Sequence, residues 1–120
     1  MKLEVFSEIS EVPQRKFDLI IIDGKDSDLA KIQHLVNRHG IIAIEGDRMP
    51  QQKILRKYFP GHKYVHSLSK KKNAAYSPFP QGNWQGGLKI IFVNPNLYQT
   101  IWWVKEKVFT KLKYLYRKLS

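Results

Sequence analysis

Two short stretches limit what this chain can become. The first is FDLIIIDG, in which Leu19, Ile20, Ile21 and Ile22 run without a polar break and then stop at Asp23 and Gly24. The second is IIAIEGD, residues 41–47, where an oily run again ends in acid at Glu45 and Asp47. A strand with one wet face alternates apolar and polar side chains, and neither stretch does. Continuous apolar runs of this length fit strands covered on both faces, as in the middle of a parallel sheet. In such sheets ligands sit just beyond the carboxyl ends of the strands, which is where Asp23 and Gly24 fall.

The surrounding pattern supplies the connections. Residues 2–6 read as a short strand and Phe17 to Ile22 as the first oily one. DSDLAKIQHLVNRHG follows as a helix, with Asp26 or Ser27 at its start and Asp28 at the positive end of its dipole. Leu29, Ile32, Leu35 and Val36 form its apolar stripe, and Gly40 suits a left-handed stop. Residues 41–45 make the next strand. A loop and short helix come after, with Pro50 in the first turn and Pro60-Gly61 at the close. Residues 63–68 alternate and so belong nearer an edge, and residues 88–93 form a last strand. Between these two lies a loop at residues 69–87, rich in Lys, Gly, Pro and Asn, long enough to be functional or mobile. Strands alternating with helices predict an α/β fold with a mostly parallel sheet and an antiparallel strand pair at one edge.

At 120 residues the chain is long enough for one cored domain, and 42% hydrophobic content fits that. The absence of cysteine excludes disulfides, thiolate zinc sites and a cysteine nucleophile. No apolar run reaches the length of a membrane span, and the start lacks the oily core of a secretory signal. A soluble cytoplasmic protein is the expectation, with peripheral membrane contact as an addition to it.

Charge divides the chain. Residues 1–47 carry six basic and nine acidic side chains, whereas residues 48–120 carry fifteen basic and one acidic. The second part therefore reads as a surface facing something anionic: nucleic acid, an acidic membrane or an acidic protein. A solvated lysine face is the plainer account. Within that part, SKKKNAAYSPFPQGNW mixes lysines with Tyr76, Phe79 and Trp84, a combination that suits phosphates and bases.

KFDLIIIDG, a helix, HGIIAIEGD and a closing strand pair together resemble the C-terminal half of a class I S-adenosylmethionine-dependent methyltransferase. The resemblance covers roughly residues 2–95, and residues 96–120 stand apart as a basic C-terminal helix. It implies a partial Rossmann-like sheet. Asp23 and Gly24 would line the cofactor and acceptor cleft, with Glu45, Asp47 and Arg48 as neighbours across it. Asp23, Gly24 and Glu45 would face the cofactor. Asp23 would orient the acceptor nucleophile, act as a base or, in the metal-dependent branch, ligate a cation, while Asp47 and Arg48 complete the catalytic set. The plainer reading is that Asp23 and Asp47 end strands and cap helices.

The glycine-rich turn and the ribose-binding acid of that family are missing, and no G-x-G occurs in the chain. S-adenosylmethionine binding is thus expected only with help from another polypeptide. Without strands beside it, FDLIII becomes a sheet edge with oily residues on both faces, a liability that a homodimer or a partner chain would cover. A non-catalytic binding or assembly module is the competing expectation.

Three weaker patterns complete the reading. Asp26-Ser27-Asp28 matches the D-x-D of metal-dependent glycosyltransferases but is equally a helix start. His62 and His66 are four apart, yet alternation predicts a strand there, not a zinc-binding helix. No nucleophile-elbow spacing supports a serine triad. The closing helix carries an apolar stripe at Leu97, Ile101, Val104, Val108, Leu112, Leu115 and Leu119, flanked by lysines and aromatics. That stripe is expected to pack on the sheet or a partner helix, or to meet a headgroup boundary.

Overall fold

The computed structural model describes residues 4–46, 48–67 and 88–119, with the side chains of residues 114 and 117–119 excepted. It is α/β, with a four-stranded mixed sheet and a C-terminal helix. The strands are β1 (Phe17–Ile22), β2 (Val36–Glu45), β3 (Lys63–Ser67) and β4 (Leu88–Phe92), and the helices α1 (Met49–Tyr58) and α2 (Leu97–Leu119). Spatial order is β1-β2-β4-β3. β1 pairs parallel to β2, whereas β4 runs antiparallel to both β2 and β3. The expectation of a mostly parallel sheet is therefore corrected: two of the three pairings are antiparallel. The reason is that β4 inserts between β2 and β3, so β3 points the same way as β1 and β2 without touching either.

Register sorts the side chains onto two faces. Ile20 and Ile22 align with Ile42 and Ile44, and these with Ile91 and Lys89. This face is closed by Leu29, Ile32, Leu35, Leu55 and Phe59, all buried, which form the core with it. The opposite face carries Leu19 and Ile21 of β1, aligned with Ile41 and Ala43, then Phe92 and Ile90. Phe92, Ala43 and Val65 are buried there, but Leu19 is 42% exposed and Ile21 57%.

The connection from β1 to β2 differs from expectation. An α-helix over residues 26–40 is replaced by two 3-10 segments, Asp26–Lys31 and Gln33–Leu35, after which β2 starts at Val36. Leu29, Ile32 and Leu35 recur every three residues, the period of a 3-10 turn, and Val36, which lies four from Ile32 and would extend an α-helical stripe, opens β2 instead. The apolar positions were legible and their period was not. Gly40, expected as a helix stop, lies inside β2. A side chain there would meet Val36 Cγ1 at 2.5 Å and the Asn37 carbonyl at 2.9 Å, where the pairing with β1 shifts register between Phe17 and Leu19. Residues 4–6, the described part of the short strand expected at 2–6, form no strand. The loop expected over 69–87 lies outside the described residues, as does Leu68.

α2 begins at Pro95-Asn96. Asn96 Oδ1 accepts from the Gln99 amide at 2.9 Å while Gln99 Oε1 accepts from the Asn96 amide at 3.1 Å, a reciprocal cap. The helix then seals the outer edge of β3. Trp103 Nε1 donates to the Tyr64 carbonyl at 2.7 Å, and the single proton of Thr110 Oγ1 is shared between the Glu106 carbonyl at 2.8 Å and the His66 carbonyl at 3.0 Å. Tyr64 and His66 are two apart, so both carbonyls point to the same side of β3. Trp102 meets Phe92 edge-on, with ring centres 5.6 Å apart. One edge of the sheet is thus covered by the chain's own helix.

Candidate functional site at the strand ends

Because β1 and β2 are parallel, their carboxyl ends lie together. Glu45 closes β2, and the chain reverses through Gly46 (φ +93°) into α1. That φ favours glycine, and so does the space. A Cβ at Gly46 would sit 2.5 Å from Arg48 Nη1. Arg48 folds back over this turn and grips Asp26: Nε donates to Oδ2 and Nη2 to Oδ1, each at 2.8 Å. Nη2 also donates to the Glu45 carbonyl at 3.0 Å.

Gln51, fully buried in the first turn of α1, doubles both contacts. Its Nε2 donates to Asp26 Oδ1 at 3.0 Å and to the Glu45 carbonyl at 2.9 Å. Its Oε1 faces the Arg48 amide at 3.4 Å. The result is a polar clamp joining the exit of β2, the start of α1 and the turn after β1. Arg48, helped by Gln51 and by nearby Lys89, holds the Asp26 carboxyl below its usual range against the opposing effect of burial. Asp26 in turn raises the Arg48 guanidinium. Such a pair stays ionised and is a poor proton shuttle.

Lys89 lies on the core face of β4, fully buried, with Nζ 4.3 Å from the centre of the Tyr64 ring. Tyr64 stands between two histidines, stacked with His62 at 6.0 Å and edge-on to His66 at 5.6 Å. His62 is half-buried, and its Nδ1 lies 2.6 Å from the Phe59 carbonyl. Desolvation pushes its pKa down, and the charges of Lys89, Lys63 and Arg56 push the same way, against the Phe59 hydrogen bond. A cavity of about 50 Å³, room for a water or two, is lined by Gln52, Leu55, Arg56, His62 and Tyr64.

The expected site residues separate under this geometry. Asp23, Gly24 and Glu45 come to the same end of the sheet and are exposed. Arg48 also comes there, but its guanidinium is engaged by Asp26. Asp47 lies outside the described residues. Asp26, read in the sequence as a helix cap or half of a D-x-D, is instead the anchor of the clamp, and Gln51 and Lys89 were not singled out at all. Asp26 and Arg48 are 22 positions apart, and no local spacing marks them as partners. A lysine inside the apolar stretch LKIIF was the one readable sign of a buried cation.

Chemically, the clamp is a strut. Asp26, Arg48 and Gln51 satisfy one another, and Asp23, Gly24 and Glu45 lie exposed beside them. Comparison with protein-family models, with curated proteins and with solved structures finds no match to this chain.

Proposed function

We propose that this chain is an assembly module of methyltransferase-like α/β type, working as a homodimer joined through β1. The observation that carries this reading is the contrast between the sheet's two edges. β3 is sealed by α2, whereas among the described residues β1 is the terminal strand of the sheet and carries exposed Leu19 and Ile21. A strand edge with open backbone groups and oily side chains templates pairing with another strand. A second copy offers a closed solution, since an isologous pair uses each edge once and leaves nothing to propagate. Antiparallel pairing centred on Ile20 sets Leu19 of each copy opposite Ile21 of the other, on the same open face. Light scattering tests this. A dimer that L19K/I21K converts to a monomer supports it, and a wild-type monomer refutes it.

A second reading, the acceptor side of a methyltransferase cleft, draws on one specific observation. The two oily parallel strands end side by side in Asp23-Gly24 and Glu45-Gly46, next to an antiparallel strand pair at the sheet's other edge. The sequence resemblance implies adjoining acidic strand ends of this kind, though within a mostly parallel sheet. Under this reading Asp23 and Gly24 line the cleft with Glu45 and Arg48 as neighbours across it, and another polypeptide brings the donor site. Calorimetric titration of the chain with S-adenosylmethionine discriminates: the assembly reading expects no heat, and saturable binding favours the enzymatic one.

A further inference from the structure

α2 turns the wrong side to its own protein. Its apolar stripe, expected on the sheet, on a partner helix or at a headgroup boundary, faces away from the sheet, and Gln99, Trp103, Glu106 and Thr110 take the inward side. At 3.6 residues per turn these lie opposite Leu97, Ile101, Val104, Val108, Leu112 and Leu115. Every one of those six is more than half exposed. They form a continuous aliphatic ridge along a 23-residue helix, about 34 Å long. Lys105 borders the ridge on one side and Lys111 on the other, and Tyr98, Phe109 and Tyr116, all exposed, widen the first border. The helix carries six basic residues and a single acid, Glu106. No helix among the described residues is long and apolar enough to cross a membrane.

We propose that α2 is an interfacial helix that lays this ridge into an anionic lipid surface. Aliphatic side chains enter the acyl boundary, aromatic rings sit at headgroup depth, and the bordering lysines reach lipid phosphates. Charge selects this occupant over a second copy. Two such helices packed ridge to ridge would set lysine borders together, and the only acid, Glu106, lies on the inward side. Nucleic acid would use the lysines but leaves the six aliphatic residues without a partner. This inference concerns a face distinct from β1 and does not depend on how β1 pairs.

The test is co-sedimentation of the full chain with vesicles of phosphatidylcholine, alone or with about 30% phosphatidylglycerol. Binding is expected on the anionic vesicles, at least about tenfold weaker on neutral ones, and weakened by salt. V104E/V108E should lose it by about tenfold or more while keeping its thermal midpoint, because both valines face solvent. K105E/K111E should weaken it by at least about fivefold for each lysine removed. Equal binding to both vesicles, or binding retained by V104E/V108E, would overturn the proposal. So would vesicle-free association that V104E/V108E abolishes, which would assign the ridge to a second copy. Tighter binding to a single-stranded oligonucleotide than to anionic vesicles, unchanged in V104E/V108E, would overturn it as well.

Discussion

Arg48 grips both carboxylate oxygens of Asp26 at 2.8 Å from 22 residues away, and the grip holds the two strand ends in place. The side chain of Asp26 is 17% exposed and that of Arg48 47%, so solvent screens the pair and its net worth stays below that of a buried one. R48A should destabilise the fold by about 1–2 kcal/mol, mainly by stranding the Asp26 carboxylate beside fewer donors. Urea unfolding monitored by tryptophan fluorescence reads this directly.

The same pair sets an acid limit. Asp26 has a lower pKa folded than its ordinary value of 3.8, so the unfolded chain takes up its proton first. Its stabilising contribution is present above that ordinary value and is lost as pH falls below it, through the lower folded value. D26N removes the ionisable group. Its unfolding midpoint should depend less on pH below about 4 than the wild type does, and identical slopes would count against the clamp.

His62 gives a second window with the same sign for a different reason. Folding lowers its pKa from 6.5, chiefly by desolvation, so the unfolded state binds the proton more readily. Stability should decline as pH falls below about 6.5 and level off beneath the folded value. H62Q, which keeps a donor near the Phe59 carbonyl, should flatten that decline. Thermal midpoints across pH 5 to 8, compared between the two proteins, check it.

Gly46 should resist substitution. G46A combines an unfavourable positive φ with a Cβ 2.5 Å from the Arg48 guanidinium. A loss of about 1–3 kcal/mol is expected from strain alone. Pairing G46A with R48A separates the two causes, since the contact disappears in the double variant and the strain remains.

Much of the strand layout was legible. Continuous oily runs marked β1 and β2, alternation marked β3, and the apolar stripe from Leu97 marked α2. Direction was not legible, because LKIIF reads the same whether β4 lies beside β3 alone or between β3 and β2. Neither was the 3-10 crossover, where Leu29, Ile32 and Leu35 satisfy both helical periods for three positions. The outward turn of α2 was one of several readings, because an apolar stripe announces burial and leaves sheet, partner helix and headgroup boundary open. Here Trp103 and Thr110 bind the β3 edge by hydrogen bonds, and that fixes the rotation of the helix. For the strand-end site, Glu45 and Asp23 could be placed from strand ends alone, whereas the link between Asp26 and Arg48 depends on a turn only the folded chain brings about.

The most direct test of the β1 account is the mass of the full chain in solution, by multi-angle light scattering at micromolar concentration. The monomer is 14.1 kDa. The account predicts twice that mass for the wild type and 14.1 kDa for L19K/I21K with an unchanged circular dichroism spectrum. A wild-type chain that elutes at 14.1 kDa would contradict it.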